Sequence, residues 1–195
     1  MAGKKRVGVL ALQGDFEAHE KALERAGATA VQVRTAEELD AIDGLVIPGG
    51  ESTTMLKLLH FMNLMEPLRK FVNEKPVFGT CAGAILLAKD VRNPQQESFG
   101  AVDLTVERNG YGRQIDSRVA QLKPGAEFQR RAGEGEVEAV FIRAPIIRRT
   151  GPGVTVLAEY DGNPVLVEEG KHLIATFHPE LTQDARVHKL FLARI

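Results

Sequence analysis

Cys81 is the only cysteine of the 195-residue chain, and it lies within the segment Gly79-Thr80-Cys81-Ala82-Gly83. An apolar run, Pro76-Val77-Phe78, precedes this segment, and a helix-like run from Ala84 to Lys89 follows it. Small residues on both sides permit a tight turn from strand to helix, where the helix N-terminus stabilises a thiolate. The segment therefore predicts a nucleophilic cysteine, with the backbone N–H of Ala82 donating to an oxyanion. A buried structural cysteine in a glycine-rich turn is the alternative.

A cysteine nucleophile needs a base, which is usually a histidine held by a third group. His178 follows the apolar run Leu173–Phe177, so it lies at the end of a predicted strand. Pro179 favours extended geometry at His178, which would place His178 and Glu180 on one side of the chain. We therefore expect Glu180 to accept a hydrogen bond from His178, whose other ring nitrogen faces Cys81. The alternative is a surface His-Pro-Glu turn. Ordinary structural roles are expected for the other histidines, His19, His60, His172 and His188.

A third polar segment, Pro48-Gly49-Gly50-Glu51-Ser52, follows the predicted strand Gly44–Ile47. Two glycines let the backbone approach a ligand closely and direct an N–H at it. We expect Gly50 to be the second oxyanion donor. Glu51 either contacts the amino group of a substrate or favours the N-terminus of the following helix. An ordinary strand-to-helix turn is the alternative.

Short β-branched runs alternate with helical runs up to Asp90, which predicts a parallel sheet with helices on both faces. We expect Gly27 to end the first helix, Ser52 or Thr53 to cap the third, and Pro67 to break it. The predicted strands of this half are 6–12, 29–33, 44–47 and 77–78, and its predicted helices are 16–26, 37–40, 52–65 and 68–73. Strands are then predicted at 102–106, 137–142, 154–160, 165–168 and 171–177, with a turn at 161–164 and a last helix at 185–193.

The composition is that of a globular protein, with 44% hydrophobic residues, 26% charged residues and a net charge of -1. We expect one domain over residues 1–195, and no affinity for nucleic acid or an anionic membrane. No run approaches the roughly 20 apolar residues of a membrane span. A single cysteine favours the reducing cytoplasm, and no cluster of cysteine and histidine has metal-ligand spacing, so neither a metal nor a cofactor is expected.

Six segments in order resemble the class I, or triad, glutamine amidotransferases, and among them the glutaminase subunits of pyridoxal 5'-phosphate synthases. The resemblance covers essentially the whole chain, and the fourth and fifth segments separate this family from other triad glutaminases. The segments are Leu12-Gln13-Gly14, Pro48-Gly49-Gly50-Glu51-Ser52-Thr53-Thr54, Gly79-Thr80-Cys81-Ala82-Gly83, Glu107-Arg108-Asn109-Gly110-Tyr111-Gly112-Arg113-Gln114, Phe141-Ile142-Arg143-Ala144-Pro145 and Phe177-His178-Pro179-Glu180-Leu181-Thr182.

The resemblance implies an α/β fold, a flavodoxin-like three-layer αβα sandwich. Its sheet is expected to be mostly parallel, with an antiparallel C-terminal extension. The resemblance implies Cys81 as nucleophile, His178 as base and Glu180 as the residue that orients the base. By matching position, the residues implied to bind glutamine are Gly50, Glu51, Ser52, Arg108, Ile142 and Arg143.

The implied reaction is hydrolysis of L-glutamine to L-glutamate and ammonia through a thioester. The resemblance also implies a partner, a (β/α)8-barrel synthase that uses the ammonia to build pyridoxal 5'-phosphate. Gln13 and the first helix near His19 are the expected contact surface, because polar residues after the first strand flank the site. Three alternatives stay open: a glutaminase that serves another synthase such as that of the imidazole glycerol phosphate pathway, a free-standing γ-glutamyl hydrolase, and a cysteine sensor or binding module without catalysis.

Overall fold

The computed structural model describes residues 4–109 and 117–195. Residues 110–114 of the fourth motif segment lie outside the described residues. The strands are β1 (Arg6–Leu10), β2 (Thr29–Val33), β3 (Gly44–Ile47), β4 (Val77–Thr80), β5 (Ala88–Arg92), β6 (Val102–Glu107), β7 (Arg118–Leu122), β8 (Val137–Phe141), β9 (Ile146–Thr150), β10 (Thr155–Tyr160), β11 (Asn163–Glu169) and β12 (His172–Ala175). The helices are α1 (Phe16–Ala26), α2 (Ala36–Leu39), α3 (Ser52–Phe61), α4 (Met65–Glu74), α5 (Ala82–Leu87), α6 (Ala126–Ala132) and α7 (Arg186–Leu192), and a 3-10 turn spans Pro179–Leu181.

The largest sheet has seven strands in the order β10-β11-β12-β4-β3-β1-β2. Strands β12, β4, β3, β1 and β2 pair in parallel, whereas β10, β11 and β12 pair antiparallel. The predicted parallel sheet with an antiparallel C-terminal extension is therefore confirmed. Strands β5, β6 and β9 form a second sheet, and β7 pairs with β8.

The large sheet separates two hydrophobic cores. Along β3, Leu45 and Ile47 face one core, while Val46 faces the other, as the two-residue period of a strand requires. Helices α3, α4 and α5 pack on the first core, and helices α1 and α7 pack on the second. The predicted three-layer αβα arrangement is confirmed.

The predicted helices 52–65 and 68–73 are present as α3 and α4, but the break between them lies at residues 62–64, where Asn63 is in the left-handed region at a φ of 57°. Pro67 does not break a helix as predicted. It lies in the first turn of α4, where its missing N–H removes no intrahelical hydrogen bond. The predicted cap is also wrong, since the carboxylate of Glu51 accepts hydrogen bonds from the N–H groups of Thr53 and Thr54 at 3.0 and 2.7 Å.

The helix after Cys81 is shorter than predicted, and Lys89 belongs to strand β5. The carbonyls of Leu86 and Leu87 accept hydrogen bonds from the N–H groups of Phe99 and Ala101, so the helix does not continue. Strands β5, β7 and β9 and helix α6 were not predicted. Helix α1 ends as predicted at Gly27, whose φ is 101°. Over residues 4–109 and 117–195, the structure holds no helix that is long and apolar enough to cross a membrane.

Candidate active site

Cys81 lies where strand β4 ends and helix α5 begins. Its φ of 48° and ψ of -102° are strained for a residue with a side chain, at a cost of roughly 1–3 kcal/mol. The backbone N–H of Cys81 donates to the carbonyl of Ala175 at 2.9 Å, which ties the turn to β12. A Cβ on Gly83 would collide with the carbonyl of Ile47, so the small residue beside Cys81 is required by packing. These features favour a nucleophile turn over an ordinary buried cysteine.

His178 and Glu180 form a buried pair beside Cys81. Nδ1 of His178 lies 2.7 Å from Oε1 of Glu180, so the predicted hydrogen bond is present. The reason for it was only partly correct, because Glu180 lies in a 3-10 turn and not in an extended segment. The backbone N–H of His178 donates to the carbonyl of Val140 at 2.8 Å, which fixes the pair against strand β8. The surface-turn alternative is excluded by burial, since both residues are only 4% exposed.

The charge state of His178 is set by its two partners. Burial lowers its pKa, but hydrogen bonds and charge interactions with Cys81 and Glu180 outweigh burial and raise the pKa to about 10. The ring is therefore an imidazolium at neutral pH, which is the form that pairs with a thiolate. Cys81 and Glu180 are therefore the two groups that keep His178 charged.

A cavity of about 330 Å³ opens above Cys81 and His178, within the range of small-molecule sites. It is lined by all six residues that were expected to bind glutamine, namely Gly50, Glu51, Ser52, Arg108, Ile142 and Arg143. Ala82 follows Cys81 directly as the first residue of α5. Three loops that are far apart in the sequence therefore converge on one space.

Arg108 is held in a fixed position at the rim of this cavity. Its guanidinium donates to the hydroxyl of Thr53 at 2.7 Å and lies 3.5 Å from the carboxylate of Glu51. Burial raises the pKa of Glu51, but hydrogen bonds from Thr54 and Thr53 outweigh burial and lower the pKa to about 2. Of the two roles expected for Glu51, the structure shows the helix cap.

Backbone strain is concentrated in the cavity wall. Among the described residues, five that are not glycine have positive φ, and three of these are Asn or Asp, which tolerate this region. The other two are Cys81 and Arg143, and both line the cavity. Strained residues cluster at functional sites, so the φ of 44° at Arg143 points to the same cavity. No pattern in the sequence predicts the strain at Arg143.

Asp15 is a cavity residue that the sequence analysis did not single out. Asp15, His178 and Glu180 each offer a metal-ligating atom, and these atoms lie within 4.8 Å of one another. The described residues contain no second group of this kind. Nδ1 of His178 and Oε1 of Glu180 are already hydrogen-bonded to each other, so an ion would have to separate them.

Gln13 and His19, the two residues expected in the partner contact, differ in how deeply they are buried. Gln13 is half-buried, and its side-chain oxygen accepts the N–H of Glu51 at 3.0 Å, which joins the loop after β1 to the cavity wall. His19 is fully buried, so the expectation that His19 contributes to a contact surface is wrong in this conformation. Its ring lies inside, against Thr80, Glu180 and His188.

Residues 9–195 match the SNO glutamine amidotransferase family. The chain is 64% identical over 191 residues to the pyridoxal 5'-phosphate synthase subunit PdxT of Solibacter usitatus, covering 98% of this chain and 100% of that protein. Identity to the PdxT subunit of Thermotoga maritima is 48% over 191 residues, covering 97% and 99% of the two chains.

Two solved structures extend the comparison. A crystal structure of a glutamine amidotransferase superposes with a TM-score of 0.86 at 48% identity, over 96% of this chain and 97% of that chain. A different glutamine amidotransferase, from Thermotoga maritima, superposes with a TM-score of 0.63 at 14% identity, over 98% of this chain and 84% of that chain. The second similarity shows a shared fold alone.

Proposed function

The chain belongs to the SNO glutamine amidotransferase family, and we propose that it hydrolyses L-glutamine to L-glutamate and ammonia for a pyridoxal 5'-phosphate synthase. The observation that carries the proposal is that Cys81 and the His178 imidazolium line one cavity, while the buried Glu180 is hydrogen-bonded to Nδ1 of His178. The proposed use of the ammonia rests on the relatives, which are named as subunits of that synthase.

In the first half of the reaction, the Cys81 thiolate attacks the side-chain amide carbon of glutamine. The tetrahedral oxyanion accepts hydrogen bonds from the backbone N–H groups of Ala82 and Gly50. His178 gives its proton to the amide nitrogen as the carbon–nitrogen bond breaks, so ammonia leaves and a thioester to Cys81 remains.

In the second half, neutral His178 takes a proton from a water molecule that attacks the thioester carbon. The carbon–sulfur bond breaks, glutamate leaves, and the Cys81 thiolate and His178 imidazolium are restored. Glu180 holds the imidazole ring through the 2.7 Å contact and stabilises its charged form in both halves.

The substrate binds through the two charged groups on its α-carbon. Arg108 and Arg143 are the arginine side chains that line the cavity, and a guanidinium is well suited to an α-carboxylate. Thr53 already orients Arg108 through a hydrogen bond, so this side chain loses less conformational entropy when the substrate binds. Glu51 attracts the α-ammonium by charge while its oxygens remain in the helix cap. Gly50, Ser52 and Ile142 supply further parts of the wall.

The proposed partner is a separate (β/α)8-barrel synthase that receives ammonia in the cytoplasm. Free ammonia is mostly protonated at neutral pH and is then a poor nucleophile, so direct transfer is required. A reducing compartment also keeps Cys81 as a thiol.

The decisive experiment measures glutaminase activity with and without the pyridoxal 5'-phosphate synthase barrel. We expect activity to rise strongly when the barrel is added. Strong activity of the chain alone would favour a free-standing γ-glutamyl hydrolase, and activation only by an imidazole glycerol phosphate synthase barrel would favour the other pathway. Inactivity in every mixture would favour a cysteine sensor.

The contact role proposed for Gln13 has its own test. Because Gln13 joins the loop after β1 to Glu51, we expect Gln13→Ala to lower barrel-stimulated glutaminase activity several-fold while the melting temperature stays nearly unchanged. Gln32→Ala is the control, since Gln32 bonds to Glu20 and does not line the cavity. Unchanged stimulation and docking in Gln13→Ala would exclude the proposed contact role.

A further inference from the structure

The two oxygens of the Glu180 carboxylate have different surroundings. Oε1 is hydrogen-bonded to His178, whereas Oε2 is buried and has no hydrogen-bond partner within residues 4–109 and 117–195. Nε2 of His19 lies 3.3 Å from Oε2. A buried carboxylate oxygen is costly unless a donor or a positive charge faces it, and the ring of His19 is the group that lies next to Oε2.

The imidazole ring of His19 contacts residues next to two members of the proposed triad, on the side away from the cavity. Nε2 lies 3.0 Å from the hydroxyl of Thr80, the residue that precedes Cys81, and Nδ1 lies 3.1 Å from Nε2 of His188. His19, Thr80 and His188 are fully buried. One side chain on α1 therefore contacts the strand that ends at the nucleophile and the carboxylate that orients the base.

The ring of His19 carries one proton, and its contacts indicate which of the two ring nitrogens holds it. Burial, the largest cause, lowers the pKa of His19 well below 6.5, and the charge of His178 adds to this effect, so the ring is neutral. Burial and the charge of Arg25 lower the pKa of His188 to about 3, although Asp184 opposes this, so His188 is neutral too. Nδ1 of His188 is buried without a partner. An unpaired lone pair costs less there than an unpaired N–H, which places the His188 proton on Nε2, facing His19.

Nδ1 of His19 then accepts a hydrogen bond from Nε2–H of His188. The proton of His19 is therefore on Nε2, where it faces Thr80 and Glu180. We propose that His19 is a positioning residue of the active site: its Nε2–H donates to the hydroxyl of Thr80, and the positive end of this N–H lies 3.3 Å from Oε2 of Glu180, which holds the carboxylate in register with His178. The proposal rests on the proposed glutaminase function. It gives a buried histidine, outside the cavity, a role in the rate of the reaction and not in the binding of glutamine.

A matched pair of variants separates this role from packing. In His19→Gln the amide nitrogen reaches the place of Nε2 and keeps a donor towards Glu180. In His19→Asn the amide reaches only the place of Nδ1, so the contact with His188 is kept and the donor is lost. In the complex with the synthase barrel, we expect His19→Asn to lower kcat roughly 10-fold, the scale of one contact to a charged group, with KM unchanged. His19→Gln should stay within a few-fold of the wild type. Equal loss of kcat in both variants would overturn the proposal.

Two measurements do not depend on glutaminase activity. In the wild-type chain, ¹⁵N NMR distinguishes the neutral tautomers of His19, and a proton on Nδ1 would overturn the proposal even if no variant folds. In a titration of the variants, we expect the pKa of His178 to fall in His19→Asn and to stay near the wild-type value in His19→Gln. An unchanged pKa in His19→Asn would assign His19 a purely structural role. If the wild-type complex lacked glutaminase activity, the proposed function would fail, and these two measurements would still decide the role of His19.

Discussion

His178 and His188 are both buried, yet their pKa values are shifted in opposite directions. Burial lowers the pKa of each ring. For His178, Cys81 and Glu180 outweigh burial and raise the pKa to about 10, whereas His188 faces the neutral ring of His19, and its pKa falls to about 3. Negative partners, and not depth, therefore decide which histidine is charged at neutral pH. His178, which lines the cavity, is charged and has a proton to donate. His188, which lies in the core, is neutral and packs against other side chains.

Removal of Cys81 should have the largest effect on this contrast. We expect Cys81→Ala to abolish glutaminase activity, by at least ~10³-fold, because the nucleophile is lost. The pKa of His178 should also fall well below 10, since interaction with Cys81 is the first of the contributions that raise it. An NMR titration of the imidazole ring measures this. If the pKa of His178 stays near 10 in Cys81→Ala, the partners of His178 do not explain its difference from His188.

Neutralising the other partner should give the next largest effect. We expect Glu180→Gln to lower kcat by roughly 10²–10⁴-fold, because the ring loses the group that fixes its orientation and its charge. Glu168→Gln is the matched control: Glu168 is also buried, but it pairs with Arg131 and Arg194, away from the cavity. The control should lose stability and keep its kcat. Similar kcat losses in both variants would show that burial, and not position, explains the effect.

The core histidines should have the smallest effect, on stability alone. The folded-state pKa values of His188 and His172 are about 3 and about 4, below the ordinary 6.5, so unfolded chains bind more protons as the pH falls through 6.5. Each should therefore remove about 2 kcal/mol of stability between pH 7 and pH 5. His178 has the opposite sign: its contribution is fully present below pH 6.5 and is lost as the pH rises towards about 10.

Urea unfolding at pH 7 and pH 5 checks this prediction. His188→Gln keeps an amide donor towards His19, and His172→Asn keeps an oxygen that accepts the N–H of Val77. Each variant should lose less stability on acidification than the wild type. A wild-type stability that does not change between the two pH values would contradict the neutral state assigned to both rings.

Much of the fold follows from local patterns in the sequence. Helix α1 and strands β2 and β3 have the predicted bounds, because helical spacing, β-branched runs and Gly27 are all local signals. The end of α5 and the existence of β5 depend on hydrogen bonds to residues about 14 positions further along, which no local pattern contains. The helix break at Asn63 was missed for a related reason, since Pro67 is the stronger local signal but is harmless in a first turn.

The active site divides in the same way. Cys81, His178 and Glu180 were identified because their chemistry and spacing are visible in the sequence, and the cavity residues followed from matching motifs. The burial of His19, the strain at Arg143 and the presence of Asp15 in the wall arise from contacts between distant segments. The polar loops around a site are thus easier to predict than the buried side chains behind it.

The left-handed backbone at Cys81 sets stability against activity at a single position. Glycine adopts a φ of 48° without strain, so a chain selected only for resistance to heat would tend to replace Cys81 with glycine. The most heat-resistant variant of this chain would then lack the thiol of Cys81. A screen that rewards thermal tolerance without a catalytic assay would discard the residue that we propose as the nucleophile.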